Sequence, residues 1–105
     1  NLVFLMKLSR YLGFEPNGEG DEDKYFDLLN GIFISQKPIH SHFLMPEATA
    51  NFTKIMQADY INMKSIVLTR EQRLKMLETM IEYYKLHMAD FHGLNSLPVL
   101  HALFD

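Results

Sequence analysis

The stretch that most constrains this fold runs from Thr69 to Met88. Thr69 and Gln72 have the spacing of a capping box, in which each side chain accepts a backbone N–H of the other residue at the start of a helix. Apolar residues then recur at three- and four-residue steps, which places them on one helical face. These residues are Leu74, Leu77, Met80, Ile81, Tyr84 and Met88. The pattern predicts a long amphipathic helix that packs within a helical domain.

Composition limits the chemistry that the chain can carry. Its 105 residues suffice for one domain with a modest core, and 48% hydrophobic with 22% charged residues is typical of a globular protein. The absence of cysteine excludes disulfides, thiolate zinc sites and cysteine nucleophiles. The sequence also has no nucleophile–base motif and no phosphate-binding glycine loop. We therefore predict a domain that is not an enzyme and needs no cofactor.

The formal net charge of -3 is unevenly distributed. Six carboxylates and one lysine between Glu15 and Asp27 give that segment a charge of -5, so the remaining residues carry +2. The part from Glu15 to Lys24 contains Pro and two Gly and has no apolar period, which predicts a solvated loop. The weak basic charge elsewhere indicates that this domain alone binds DNA weakly and in a salt-sensitive manner.

The first segment, Asn1–Gly13, is apolar on nearly every side, and only Lys7 and Arg10 make a polar stripe. This pattern predicts a helix that is buried on most sides and ends at Gly13. The segment is too short to span a membrane and lacks the basic region of a secretory signal. Because the helix begins at the first residue without an initiator Met, we expect the chain to be a fragment of a longer protein.

One β signal interrupts the helices. Two short aromatic and β-branched runs within residues 25–35 flank Asn30-Gly31, a dipeptide that favours a type I′ turn. We predict a hairpin of about four residues per strand, packed against helices because two strands alone are marginally stable. The fold class is therefore mainly α, a helical bundle with one small β-hairpin insertion.

Shorter helical segments complete the prediction. Pro46 suits the first turn of a helix whose inner side would be Ala48, Phe52, Ile55 and Met56. Asp59–Val67 is too irregular for more than a short helical or turn segment. Ser96 would cap a last short helix that packs back on the core.

His40 and His42 raise the possibility of a metal site, because histidines two apart in a strand share one face and zinc binds histidine. No third ligand has a motif spacing to this pair, and His87 and His92 could join only if the fold brought them close. An enzyme using His40, His42, His87 or Asp90 is a further alternative that no motif supports. We favour histidines that anchor a loop through hydrogen bonds, and we predict no metal site.

Three segments, taken in order, resemble the C-terminal domain of RecO, a family of bacterial DNA repair and recombination mediators. Leu8–Pro16 (LSRYLGFEP) is similar to the family's helix-ending segment, and Tyr25–Ile34 to its short aromatic-then-glycine hairpin. Glu82–Leu100 is similar to the family's closing tyrosine-rich helix and the segment after it. Together they span nearly the whole chain, so the resemblance implies a single RecO C-terminal-like domain over residues 1–105.

The departures from the family pattern also carry information. Many RecO proteins place two CxxC pairs where residues 15–45 lie here and bind zinc, whereas this chain has no cysteine. The resemblance thus implies a metal-free variant in which packing alone holds the hairpin. Asn95 stands where the family usually has lysine. The family's N-terminal OB-fold, its main nucleic-acid-binding module, is absent from this sequence, which agrees with the expectation of a fragment.

The resemblance implies a role in DNA repair in the cytoplasm. RecO-like proteins bind and anneal DNA and, with RecR, help to load RecA onto DNA covered by single-strand-binding protein. Their helical domain docks the acidic C-terminal tail of that binding protein. The alternative is a structural scaffold that positions the OB-fold and binds little by itself.

A tail that ends in apolar residues and a carboxylate requires an apolar pocket with a basic rim. No motif locates this pocket in the sequence. On chemistry alone the candidate binding residues are Lys7, Arg10, Arg70 and Arg73, because each pair lies three apart on a helix beside apolar positions. The alternative, that these are ordinary solvated or packed charges, stays open for each of them.

Overall fold

The computed structural model describes residues 2–18, 24–59 and 61–88. These residues form three α-helices, one small antiparallel sheet and a 3₁₀ turn, so the predicted mainly α fold is confirmed. The elements are α1 (Leu2–Leu12), β1 (Tyr25–Asp27), β2 (Ile32–Ile34), β3 (Phe43–Leu44), α2 (Pro46–Gln57), the 3₁₀ turn (Met63–Ser65) and α3 (Arg70–His87). The predicted helix after Ser96 lies outside the described residues.

Helix α3 starts where its capping box predicts. The Thr69 hydroxyl accepts the N–H of Gln72 at 3.1 Å, and Gln72 Oε1 accepts the N–H of Thr69 at 2.9 Å. Helix α1 also ends as predicted, because Gly13 adopts a φ of +92° and Phe14 N–H donates to the Ser9 carbonyl. Together with the bond from Gly13 N–H to Arg10 O, this is a Schellman motif, which satisfies carbonyls that the helix leaves unpaired.

The buried face of α3 differs from the predicted one. The predicted members Met80 and Tyr84 are buried, but Leu74 is 56% exposed. The remaining buried positions of the helix are Met76, Thr79 and Tyr83. The prediction was wrong in including Leu74 in the buried face and in leaving out the hydroxyl-bearing residues Thr79 and Tyr83. Their hydroxyls are buried with partners, since Thr79 donates to Lys75 O and Tyr83 to Phe14 O.

Helix α1 is buried on one side only, which corrects the prediction of burial on most sides. Its buried residues are Val3, Leu5, Met6 and Ser9, whereas Tyr11 is 87% exposed and Phe4 and Leu12 are partly exposed. Leu5 and Met6 join the core that α2, α3 and the sheet share. The Tyr84 hydroxyl from α3 donates to the Leu5 carbonyl at 2.6 Å and joins the two helices.

The sheet has three strands in the order β2-β1-β3, one strand more than the predicted hairpin. The hairpin strands are three residues long rather than about four, and Asp27 pairs with Ile32. The four residues between them replace the predicted type I′ turn, since only Gly31 in this loop has a positive φ. Asp27 explains the longer loop, because its carboxylate accepts both the N–H and the side-chain amide of Asn30, and its carbonyl accepts Gly31 N–H.

Thr49 joins α2 to the sheet. Its buried hydroxyl accepts the Phe26 N–H at 3.1 Å and donates to the Leu44 carbonyl at 3.1 Å, so it bridges β1 and β3. The predicted inner side of α2 did not include Thr49. Of the residues it did include, Phe52 and Ile55 are buried, and Ala48 and Met56 pack against the core.

Candidate partner-binding site

An apolar groove of about 310 Å³ lies where the start of α1, the end of α2, the 3₁₀ turn and the first half of α3 meet. Seven of its lining residues are apolar and one is a cation. They are Leu2, Val3, Ile55, Met63, Ile66, Leu68, Arg73 and Leu77. We call this surface the Arg73 groove. It has the composition of a ligand site, namely an apolar lining with a polar group that can orient what binds.

The Arg73 groove exists because part of the apolar pattern of α3 faces outward. Leu77 was predicted as a core residue, but it is half-buried and lines the groove while still packing against the core. The segment before α3 contributes in the same way, since Ile66 and Leu68 line the groove and Val67 between them is 85% exposed. The irregular apolar residues of this segment had no role in the sequence-based interpretation.

Among the residues that the structure describes, Arg73 is the only charged one that lines the groove. It is exposed in the second turn of α3, and within the part of the chain that the structure describes it forms no ion pair. Arg70, one turn earlier, is also exposed at the start of α3. A carboxylate is the group that this environment favours.

The other two predicted residues lie elsewhere. Lys7 is half-buried on α1, and Arg10 is exposed near the end of the same helix, with its Nε 4.0 Å from Glu15 Oε1. Arg10 lines a separate, more polar depression with Asn30, Tyr83 and other residues, and this depression shares no lining residue with the Arg73 groove. The structure thus places the Lys7/Arg10 pair and the Arg70/Arg73 pair on different helices. Of these four predicted residues, Arg73 is the one that lines the apolar groove.

The histidines anchor loops, which confirms the favoured interpretation of His40 and His42. His40 Nδ1 accepts the His42 N–H at 3.0 Å, and His42 Nδ1 lies 3.2 Å from Glu82 Oε2, where its N–H can donate. His87 Nε2–H donates to the Leu28 carbonyl at 2.6 Å. These bonds correct the expectation that packing alone holds the hairpin, because three imidazoles also hold it.

Asp27 is the buried charge of the hairpin, with only 4% of its surface exposed. Burial acts to raise the pKa of this carboxyl. The hydrogen bonds from Asn30 and the proximity of His40 outweigh burial, so the pKa lies below its ordinary value of 3.8. His40 Nε2 lies 3.0 Å from Asp27 Oδ1 without the alignment of a hydrogen bond. We therefore treat the His40 contact as electrostatic, and the Asn30 bonds as the main partners of the carboxylate.

The described residues contain no group of three or more His, Asp or Glu side chains arranged to hold a metal ion. Asp90 and His92, which the alternatives invoked, lie outside the described residues. None of the helices in the described ranges is both long and apolar enough to cross a membrane.

Similar proteins are known from several bacteria. The chain is 41% identical to a relative from Azobacteroides pseudotrichonymphae over 106 residues, 43% to one from Phocaeicola vulgatus over 105, and 41% to one from Bacteroides fragilis over 107. Each match covers 99–100% of this chain and 44% of the relative. No protein-family profile matches the chain, and no solved structure matches it.

All three relatives are described as DNA repair proteins. All three carry the name DNA repair protein RecO, so the resemblance seen in the sequence is confirmed: nearly the whole chain is similar to part of these RecO proteins. It spans less than half the length of the relatives that it matches.

Proposed function

We propose that this domain acts without catalysis, as the partner-docking part of a RecO-like mediator of DNA repair and recombination. The observation that carries the proposal is the Arg73 groove, an apolar surface with a cation at its edge. The matching relatives are DNA repair proteins, which supports the broader role.

The ligand we propose for the groove is the acidic C-terminal tail of single-strand-binding protein. Such a tail ends in apolar residues and a carboxylate. The apolar residues would enter between Leu2, Ile66 and Leu77, and the carboxylate would pair with Arg73. A charge-assisted pair next to buried apolar contacts gives both orientation and affinity.

The remaining roles belong to the whole protein. Binding of RecR, DNA annealing and loading of RecA in the cytoplasm would require the rest of a RecO-like chain, since this domain corresponds to 44% of the relatives. With a net charge of -3, the domain itself would contribute only a weak DNA contact.

The test is a titration of the 105-residue chain with a labelled acidic peptide that ends in Phe, followed by fluorescence anisotropy. Arg73→Ala should weaken binding by about tenfold or more, because a hydrogen bond to a charged group contributes roughly 1.5–3 kcal/mol. Arg10→Ala is the matched control, since Arg10 is an exposed arginine on the separate depression, and it should leave the affinity within about twofold. A peptide with an amidated C-terminus should show the same loss as Arg73→Ala.

Equal losses in the two variants would place the site away from the Arg73 groove. No saturable binding by the unsubstituted chain would refute docking on this domain, and the domain would then be a scaffold for the OB-fold.

A further inference from the structure

The outer face of the small sheet carries aromatic rings and lysines that the fold does not need for its core. In the register of β1 and β3, Phe26 pairs with Leu44 and both are buried, so Tyr25 and Phe43 belong to the opposite face. Both rings are partly exposed and meet edge to face, with centroids 6.0 Å apart. Lys37 Nζ lies 5.6 Å from the centroid of Phe43. We call this surface the aromatic–lysine face.

A shallow groove of about 530 Å³ continues this face along β2. Lys24 and Lys37 both line it, together with Ile34 and the fully exposed Ile39. Ile34 is the cross-strand partner of Tyr25, so the groove and the ring pair form one surface.

The loop that carries Lys37 is tied down at its far end. Leu28 N–H donates to the His42 carbonyl at 2.9 Å, and the His42 N–H donates to His40 Nδ1. His42 Nδ1 also lies 3.2 Å from Glu82 on α3. These contacts fix the loop against the sheet and α3, so Lys37 is presented on a pre-organised surface rather than on a mobile arm.

Residues 24–45 carry a formal charge of +1 with histidine neutral, in a chain whose net charge is -3. Within residues 24–45 the only carboxylate is Asp27, which is buried and bonded to Asn30. Lys37 is therefore the exposed charge of this range, and Lys24 is half-buried. Partly exposed rings beside lysines match single-stranded nucleic acid, whose bases present flat faces and whose backbone presents phosphates. A duplex keeps its bases stacked inside and so offers no free base faces to these rings.

We propose that the aromatic–lysine face is a contact site for single-stranded DNA, with bases stacking on Tyr25 and Phe43 and phosphates pairing with Lys37. The proposal does not depend on peptide docking, because this face and the Arg73 groove share no lining residue. Four carboxylates between positions 19 and 23 directly precede Lys24 in the sequence. The contact is therefore weak and best measured at low salt.

The experiment titrates the 105-residue chain with a labelled oligothymidylate of roughly 12 nucleotides, which lies within the site sizes of single-strand-binding folds. Tyr25→Leu removes the ring but keeps an apolar side chain, and Tyr11→Leu is its control on the exposed surface of α1. Lys37→Ala removes the cation, and Lys54→Ala is its control on the exposed surface of α2. The urea midpoint of each of the four variants, compared with that of the unsubstituted chain, would show whether the variant is folded.

Tyr25→Leu should weaken oligonucleotide binding by about fivefold or more, which is the lower range for the loss of one stacked base. Lys37→Ala should lower the slope of log K against log salt by about 0.7, the amount expected for one phosphate contact to a single strand. Both control variants should bind like the unsubstituted chain. The Arg73→Ala variant should retain oligonucleotide binding, which separates this site from the peptide site.

Three results would overturn the proposal: no oligonucleotide binding at low salt, equal losses in the test and control variants, or equal affinity for a duplex of the same length. If the acidic peptide, and not the oligonucleotide, lost affinity in Tyr25→Leu, the face would be a protein-docking surface instead.

Discussion

Replacing Thr49 with Val tests the joint between α2 and the sheet with almost no change in side-chain shape. The Thr49 hydroxyl accepts Phe26 N–H and donates to Leu44 O, both at 3.1 Å. Valine fills the same space with a methyl group. Phe26 and Leu44 are 0% and 3% exposed, so water cannot easily replace the lost partner of either backbone group.

The magnitude follows from these two unpaired groups. A buried donor or acceptor left without a partner costs about 1–3 kcal/mol, and burial of the new methyl group returns roughly 0.8 kcal/mol. Thr49→Val should therefore lower the free energy of unfolding by about 1–5 kcal/mol. A domain of this size is stable by about 5–15 kcal/mol, so the loss is a large fraction of the total.

Urea denaturation followed by far-ultraviolet circular dichroism measures this loss. With a slope of about 2 kcal/mol per molar urea, the midpoint should fall by roughly 0.5–2.5 M. Thr53→Val is the control on the same helix, because the Thr53 hydroxyl only donates to the Thr49 carbonyl one turn earlier. Such a bond adds little to stability, so this variant should stay within about 1 kcal/mol of the unsubstituted chain.

The reasoning fails if Thr49→Val and Thr53→Val lose the same stability. It also fails if Thr49→Ser, which keeps the hydroxyl, is as unstable as Thr49→Val.

Two further predictions concern pH. The pKa of Asp27 lies below 3.8, so its ionised form stabilises the fold at neutral pH, and this contribution is lost as pH falls through the lowered pKa. The urea midpoint should therefore fall more steeply in acid for the unsubstituted chain than for Asp27→Asn. Parallel curves of midpoint against pH for the two proteins would contradict this. Burial raises the pKa of Tyr83 and Tyr84 above 10.0, so their neutral phenols stabilise the fold up to about that pH and the contribution is lost as pH rises further. In an alkaline titration followed by near-ultraviolet absorbance, these two phenols should ionise together with the loss of circular dichroism, and ionisation of the intact fold would refute their burial.

Local signals in the sequence were sufficient where a few neighbouring residues determine the structure. The capping box at Thr69 and the glycine stop at Gly13 both act within one helical turn, and both are present in the structure. The turn after β1 was harder to predict, because the Asp27 side chain selects a four-residue loop over the two-residue turn that Asn30-Gly31 favours.

Hydroxyl groups explain much of what the sequence could not predict. Thr49, Thr79 and Tyr83 have polar hydroxyl groups, so an apolar pattern in the sequence does not include them. All three are buried because the fold supplies hydrogen-bond partners for their hydroxyls. The same holds for the candidate site. Chemistry pointed to Arg73, but only tertiary packing shows that Leu2 and Ile66 surround it with an apolar surface.

The two adjacent tyrosines of α3 also bear on the order in which the chain folds. Tyr83 and Tyr84 donate to the carbonyls of Phe14 and Leu5, across 69 and 79 residues of sequence. Helix α1 is synthesised before α3, so these tyrosines emerge from the ribosome only after nearly all of the described residues have been made. The chain must lose the conformational entropy of closing loops of this length before these hydrogen bonds can stabilise the fold. Among the described residues these two bonds span long sequence separations, so we expect them to form late and to slow the folding of a largely helical domain.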